Sequence, residues 1–355
     1  MYLRRIFFAV FSAVLLVGAG CQPMARLGTP SSTSTMKQYS LYHEINQPAG
    51  FVNTDKITLG ELVGKKVILV DFVTYSCINC IRTFPYLVDW YGKYKEKGLE
   101  IVAIHTPEFA FEHKKENVEA AMKKFGITFP VVLDNAYGTW RAYGNNYWPR
   151  KYLIDIHGNI VYDHIGEGAY DETEKKIQEA LEERMTVLGI ADSVAVPLSH
   201  PSSTVGTELG KINSPEIYFG SERNEYLGNG TEGKSGKQTL TIPVTILPNT
   251  LYLGGIWDVA GDHATTVSQP AKLIFRYTAK QVNMVASADT TSTVRVQRDG
   301  RELGDAAGSD VSNGVVTIRG ERLYEFINDP AGYAEHTIEI EIDQPGVKVF
   351  TFTFG

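Results

Sequence analysis

Cysteine is scarce. The 355-residue chain holds three, Cys21, Cys77 and Cys80, which excludes the disulfide framework that staples many exported domains. Basic charge is not in excess either: 34 Lys and Arg stand against 41 Asp and Glu, for a net charge of −7. That balance offers no electrostatic footprint for nucleic acid and argues against it as a partner. Glycine and proline, 33 and 15 residues, show no low-complexity bias. The eight histidines form no closely spaced pair, and no second cysteine pair exists, so a zinc site would lack ligands and no metal is expected. What remains is ordinary globular composition, 43% hydrophobic and 21% charged, with length for about two domains.

The only long apolar run lies at the start. Arg4 and Arg5 precede an apolar stretch at 6–17, then Gly18, Ala19, Gly20 and Cys21. The stretch is shorter than the ~20 residues a helix needs to cross a bilayer and suits the core of a secretory signal. Small residues directly before a cysteine resemble a bacterial lipobox, with Gly18 where leucine is usual. We therefore expect residues 1–20 to be a signal peptide and Cys21 to carry a lipid anchor, with ordinary cleavage near Ala19 as the alternative. Residues 21–37, mostly small and hydroxylated, read as a tether. The expected location is exported, extracytoplasmic and membrane-anchored.

Two cysteines then remain, in Cys77-Ile78-Asn79-Cys80. Such a pair is a redox dithiol, half of a metal site, or a short-loop disulfide. A structural bridge closing so short a loop removes little unfolded-state entropy. Local context favours redox chemistry. The apolar run Val67–Val73 reads as a buried central strand, and 81–97 carries Phe84, Leu87, Val88 and Tyr91 at helical spacing. A strand, a short turn, C-x-x-C and a helix is the setting in which such a pair is redox-active. The free N–H groups at a helix start stabilise a thiolate, so Cys77 reads as the attacking thiol and Cys80, one turn inside, as the resolving one. No cofactor is needed beyond a redox-active Cys77–Cys80 disulfide.

The segments 57–62 (ITLGEL), 68–80 (ILVDFVTYSCINC), 99–109 (LEIVAIHTPEF), 125–144 (FGITFPVVLDNAYGTWRAYG), 147–161 (YWPRKYLIDIHGNIV) and 166–174 (GEGAYDETE) resemble the thioredoxin superfamily, specifically its exported TlpA/DipZ-like thiol–disulfide oxidoreductases. The resemblance implies a thioredoxin fold over 38–190 and several roles by position. Asp71 matches the buried acid that relays the proton of the second cysteine. Pro85 matches the proline that kinks the active-site helix. Pro149 matches the cis proline that, with Trp148, contacts substrate; Pro130 is the decoy. Thr83 stands where some relatives carry a glutamate, and Ile78-Asn79 replaces Gly-Pro. His105 and Glu108 belong to the shared pattern, but a plain loop-capping role is as good a reading.

Residues 171–174 (DETE) form a capping-box pattern opening a helix to about Leu188. Periodicity fades over 191–213, a linker rich in Ser, Pro and Gly. From 214 to 355 the apolar period is two: Leu273, Phe275 and Tyr277; Ile338, Ile340 and Ile342; Phe350, Phe352 and Phe354. Asp299-Gly300 is a hairpin signal after 294–298, with 301–303 as its expected second strand. These features predict an all-β sandwich of jelly-roll type. The segments 214–220 (SPEIYFG), 253–259 (LGGIWDV), 321–326 (ERLYEF) and 352–355 (FTFG) resemble the C-terminal domain of DipZ-like proteins, which is similar to a carbohydrate-binding module. Trp257 and Tyr218 are candidates to stack on a sugar, although core or interface positions are commoner for such aromatics.

The leading expectation is an extracytoplasmic thiol–disulfide oxidoreductase, in the reductive direction on protein disulfides. The resemblance implies a membrane electron donor of the DsbD/CcdA type. The alternatives are a cell-envelope glycan-binding protein acting through the β-sandwich, and a thiol peroxidase. For the last, Thr74 precedes Cys77 at the right spacing but the expected proline is missing.

Overall fold

The computed structural model describes residues 39–202 and 207–355. The expected signal, the tether and Cys21 lie outside the described residues. Residues 39–355 form one compact unit, built from an α/β layer followed by an all-β sandwich.

The first part runs β1 (Gly50–Val52), β2 (Val67–Val73), α1 (Ile78–Tyr94), β3 (Leu99–His105), α2 (Lys115–Lys124), β4 (Val131–Leu133), α3 (Gly138–Ala142), β5 (Arg150–Ile154), β6 (Ile160–Ile165) and α4 (Tyr170–Leu188). Its six strands lie in the order β1-β4-β3-β2-β5-β6. β2, β3 and β4 are parallel and the others antiparallel, which is the thioredoxin arrangement. β2 is buried at all seven positions, as its unbroken apolar run predicts for a strand covered on both faces. Val67, Leu69 and Val73 face the core shared with α1 and α4, and Ile68, Val70 and Phe72 face the opposite core. Asp71 falls by parity on the α1 side.

Helix α1 begins three residues before the periodic apolar stretch, with Cys77 at its N-cap, and contains Pro85 as expected. Gly98 (φ +106°) follows its end. The capping box at 171–174 does not form. The N-cap of α4 is Ala169, and Glu174, 1% exposed, instead accepts hydrogen bonds from Trp90 Nε1 (3.0 Å), Tyr94 OH (2.7 Å) and Ser199 N (2.6 Å). A carboxylate inside a helix–helix contact has more to gain from those donors than from a solvated helix end. The same bonds hold the stretch after α4 against the first domain, together with Gln178 Nε2 to Val196 O at 3.0 Å and the buried Val194.

The second part contains β7 (Ile217–Tyr218), β8 (Gly236–Leu240), β9 (Leu251–Val259), β10 (Ala264–Thr266), β11 (Ala271–Ala279), β12 (Gln281–Ala288), β13 (Ser292–Arg298), β14 (Val311–Ser312), β15 (Val315–Ile318), β16 (Arg322–Asn328), β17 (Ala334–Ile342) and β18 (Val347–Phe354). All pairings between these strands are antiparallel. β9 passes between the two layers: up to Gly254 it pairs with β11, and from Gly255 on with β8 and β10. Gly255 has φ +94°, and a Cβ there would lie 2.2 Å from Ser268 Oγ, so glycine is required at this corner. Asp299 and Gly300 both have positive φ and close a tight turn. The second strand expected after them is reduced to the single bridge Arg298–Arg301, because the chain turns at once into the 3-10 segment Gly304–Ala306.

β12, paired on both sides with β16 and β18, is buried at seven of its eight positions, more than an antiparallel strand with one solvated face would be. Val282, Met284 and Ala286 point into the sandwich, while Val285 belongs to the first domain's core. β18 carries the same double duty. A register shift opposite Val285/Ala286 sets Phe350 off the face shared by Phe352 and Phe354. Phe350 packs on Phe109 (5.1 Å) and Phe111 (4.9 Å) of the first domain. The three phenylalanines therefore do not share a face, contrary to the alternation in the sequence.

Candidate active site

The sheet and α1 place the two thiols at different depths. Cys77 is half-buried at the N-cap of α1 and its Sγ lies 3.8 Å from Trp148 O, to which the thiol donates. Cys80, one helical turn inward, is fully buried. Both are free thiols in this structure. Burial pushes the Cys80 thiol well above its usual pKa, and the neighbouring Cys77 and Asp71 push it further; a hydrogen bond to the Thr74 backbone opposes them.

Asp71 lies beneath this pair and is fully buried. Opposite it in the β2–β5 register stands Lys151, also fully buried. Lys151 Nζ is 3.7 Å from Asp71 Oδ1, close enough for ion pairing but too far for a good hydrogen bond. Neither Asp71 oxygen has a hydrogen-bond partner among the described residues, nor has Lys151 Nζ. Burial raises the Asp71 pKa to about 6, and Lys151 draws it back only in part. The carboxyl thus titrates near neutrality, in the range a proton relay needs.

The Trp148–Pro149 peptide bond is cis, and none is found at Pro130. The Trp148 indole packs on Trp140 at 4.3 Å and donates to Thr106 O at 3.1 Å. Those contacts hold the loop that carries Trp148 O beside the Cys77 sulfur.

Three buried groups around the turn were not singled out as functional from the sequence. Lys151 is visible only as a lysine inside the apolar strand that follows Pro149. Glu112, fully buried, accepts from Ser76 Oγ (2.6 Å), Glu108 N (2.6 Å) and Phe109 N (3.0 Å), and so ties the residue before Cys77 to the loop after β3. Burial raises its pKa. Arg82 of α1 pairs with Glu167 at 3.0 Å and donates to Gln281 of β12 at 2.7 Å. Nothing in local sequence pattern marks Arg82, whose partners lie 85 and 199 residues away, and the local bonds of Glu112 to Glu108 and Phe109 do not reveal its bond to Ser76.

His105 is fully buried, stacked on Tyr75 at 5.7 Å, with no hydrogen bond to either ring nitrogen among the described residues. Burial lowers its pKa to about 3, so it is neutral at physiological pH. Glu108 faces the second domain, where it accepts from Tyr218 OH (3.0 Å) and Arg223 (2.9 Å). Tyr218 is accordingly an interface residue, with Arg223 stacked over its ring at 3.6 Å. Trp257 is fully buried in the sandwich core and donates to Gly254 O at 3.0 Å. Neither aromatic is presented for stacking on a sugar. Among the described residues no helix is long and apolar enough to cross a membrane.

Comparison with known proteins agrees with this geometry. Residues 49–181 match the Redoxin family and residues 214–355 the family described as Thioredoxin like C-terminal domain. Protein DipZ of Mycobacterium bovis is 36% identical over 312 residues, covering 86% of this chain and 41% of its own. The chain thus spans well under half the length of the DipZ proteins it matches. Thiol-disulfide oxidoreductase ResA of Halalkalibacterium halodurans is 35% identical over 147 residues, covering 40% of this chain and 78% of its own. A solved thioredoxin-family thiol:disulfide interchange protein from Chlorobium tepidum TLS aligns over 41% of this chain and 98% of its own, at 22% identity and a TM-score of 0.36. The chain belongs to the redoxin family of thioredoxin-like thiol–disulfide oxidoreductases, with a thioredoxin-like C-terminal domain following the redoxin domain.

Proposed function

We propose that the protein is an extracytoplasmic protein-disulfide reductase working through Cys77 and Cys80. The observation that carries this reading is the depth difference between the thiols: Cys77 half-buried at a helix N-terminus, Cys80 fully buried above the bare Asp71 carboxyl. The Cys77 thiolate attacks a substrate disulfide, forming a mixed disulfide and releasing one substrate thiolate. Asp71 takes the Cys80 proton, and the Cys80 thiolate attacks Cys77 Sγ. That releases the second substrate thiolate and leaves the Cys77–Cys80 disulfide, with two electrons passed to the substrate. The protein disulfide is the only redox group required.

Trp148 O and Pro149 border the sulfur and suit an extended substrate backbone. The reductive direction is favoured because Ile78 and Asn79 bring no cationic side chain to stabilise the reduced pair, whereas strong oxidants have a stabilised reduced form. A dithiol donor must reset the disulfide, and a membrane partner of the DsbD/CcdA type fits a protein held at the membrane through a lipidated Cys21. The test is trapping. A Cys80→Ser variant should accumulate mixed disulfides with a disulfide-bonded protein substrate, and Cys77→Ser should neither trap nor turn over. Full turnover in Cys77→Ser would refute the reading.

A further inference from the structure

A cleft of about 580 Å³ runs between the two domains and includes Ile78, the residue next to Cys77. It lies within the ~300–1,000 Å³ range of ligand clefts. Ile78, Ile81 and Phe125 give it an apolar wall from the first domain, and Asn283 and Arg319 line it from the second.

The polar groups of the cleft divide by sign. Its carboxylates are occupied. Asp310 takes both Arg322 nitrogens at 3.1 and 2.6 Å, Glu321 takes Lys114 at 2.9 Å and Asn117 at 2.7 Å, and Glu325 takes Ser309 N at 2.9 Å. Its unoccupied groups are donors. Lys124, whose ammonium lies 5.5 Å from the Phe125 ring centroid, and Arg319 both line the cleft, and among the described residues neither forms an ion pair. Asn283, 1% exposed, keeps its buried Nδ2 without an acceptor there. A buried donor left unpaired costs about 1–3 kcal/mol, so an acceptor arriving from outside is favoured. Partial burial and the charge of Arg322 push the Lys124 ammonium pKa down, and the charge of Asp310 opposes them only in part.

We propose that this cleft is a substrate subsite. It holds a short polypeptide segment bearing an acidic side chain, beside the disulfide that Cys77 attacks. The segment's backbone carbonyl meets Asn283 Nδ2, its carboxylate lies between Lys124 and Arg319, and its apolar atoms rest on Ile78 and Phe125. The second domain thereby selects substrates without touching the sulfur chemistry. This proposal rests on the dithiol reading above for its meaning, yet it can be tested apart from it.

The full chain with both Cys77→Ser and Cys80→Ser is titrated with two short peptides, identical except for a central Glu-Glu or Lys-Lys. The Glu peptide is expected to bind about five- to tenfold more tightly. Lys124→Glu with Arg319→Glu, both at exposed positions, should invert that preference. Asn283→Leu should weaken both peptides alike. The same two sequences, built into disulfide-linked peptides, should show the same ratio in kcat/KM with the unmodified dithiol. Equal binding of the two peptides, or a Glu preference that survives the charge reversal, would overturn the proposal. Failure of the unmodified protein to reduce 2-hydroxyethyl disulfide would instead remove the reductase reading, with the titration still deciding the cleft.

Discussion

Asp329 and Asp71 are both buried aspartates, one in each domain, and their surroundings differ. Asp329 receives Arg298 and the Ala331 N–H at 2.9 Å, and despite its burial those hydrogen bonds hold its carboxyl below the usual range. Among the described residues Asp71 receives no hydrogen bond, only Lys151 at 3.7 Å, and burial raises it to about 6. On the neighbouring strand β3, His105 likewise has no hydrogen bond to its ring among the described residues and is pushed the other way, to about 3. Buried charge without hydrogen bonds is destabilising. The sandwich satisfies its buried aspartate as a structural domain should, whereas the thioredoxin sheet leaves ionisable groups unsatisfied directly beneath its dithiol. Departures of that kind concentrate where chemistry is done.

The sharpest way to break the comparison is to remove the chemistry the bare groups are held to serve. Cys77→Ser should lower disulfide exchange by more than about a thousandfold, measured as turnover with a dithiol donor. Unchanged turnover would make Asp71 and Lys151 a structural peculiarity.

Next in size is acid stability. His105 has its folded pKa depressed from 6.5 to about 3, so the folded state binds fewer protons than the unfolded one between those values. Its contribution is fully present above pH 6.5 and is lost as pH falls toward 3, on the order of 5 kcal/mol. Asp71 acts in the opposite sense: raised from 3.8 to about 6, it costs stability as pH rises through that window. A His105→Phe variant should flatten the acid branch of the thermal-melting profile between pH 6.5 and 3, and an unaltered branch would show that His105 is not held neutral.

If the second domain supports the site by packing, Phe350→Ala should cost about 3 kcal/mol while leaving the Asp71 titration near 6. Denaturant unfolding and the pH profile of exchange read the two effects separately.

The smallest expected effects come from the pair itself. Asp71→Asn should slow release of the mixed disulfide about ten- to a hundredfold without changing its formation. Lys151→Met should move the pH midpoint of that release upward, because Lys151 is what draws the Asp71 pKa down. A midpoint that stays in place would show that the two groups are uncoupled.

Much of this architecture is legible in the chain because the information is local. The run Val67–Val73 announces a strand covered on both faces, and C-x-x-C before an amphipathic stretch announces the thiol turn. Period-two alternation announces the sandwich. What escapes is non-local. Lys151 faces Asp71 only once β5 lies antiparallel beside β2, a register no periodicity encodes. Glu174 breaks the capping-box reading because Trp90, Tyr94 and Ser199 converge on it from distant positions. Phe350 leaves the face of its neighbours because of a register shift in the β12–β18 pairing, which alternation alone cannot reveal. The cleft beside Ile78 belongs to neither domain by itself, so neither domain's pattern foretells it.

The most direct test of the central claim is the reduction potential of the Cys77–Cys80 couple, equilibrated against a defined thiol buffer and followed by tryptophan fluorescence from Trp148. A reversible two-electron couple near the thioredoxin value of about −270 mV is expected of a reductase. A couple near about −120 mV would contradict the reductive assignment and make the protein a donor of disulfides, and the absence of any reversible couple would contradict the redox function altogether.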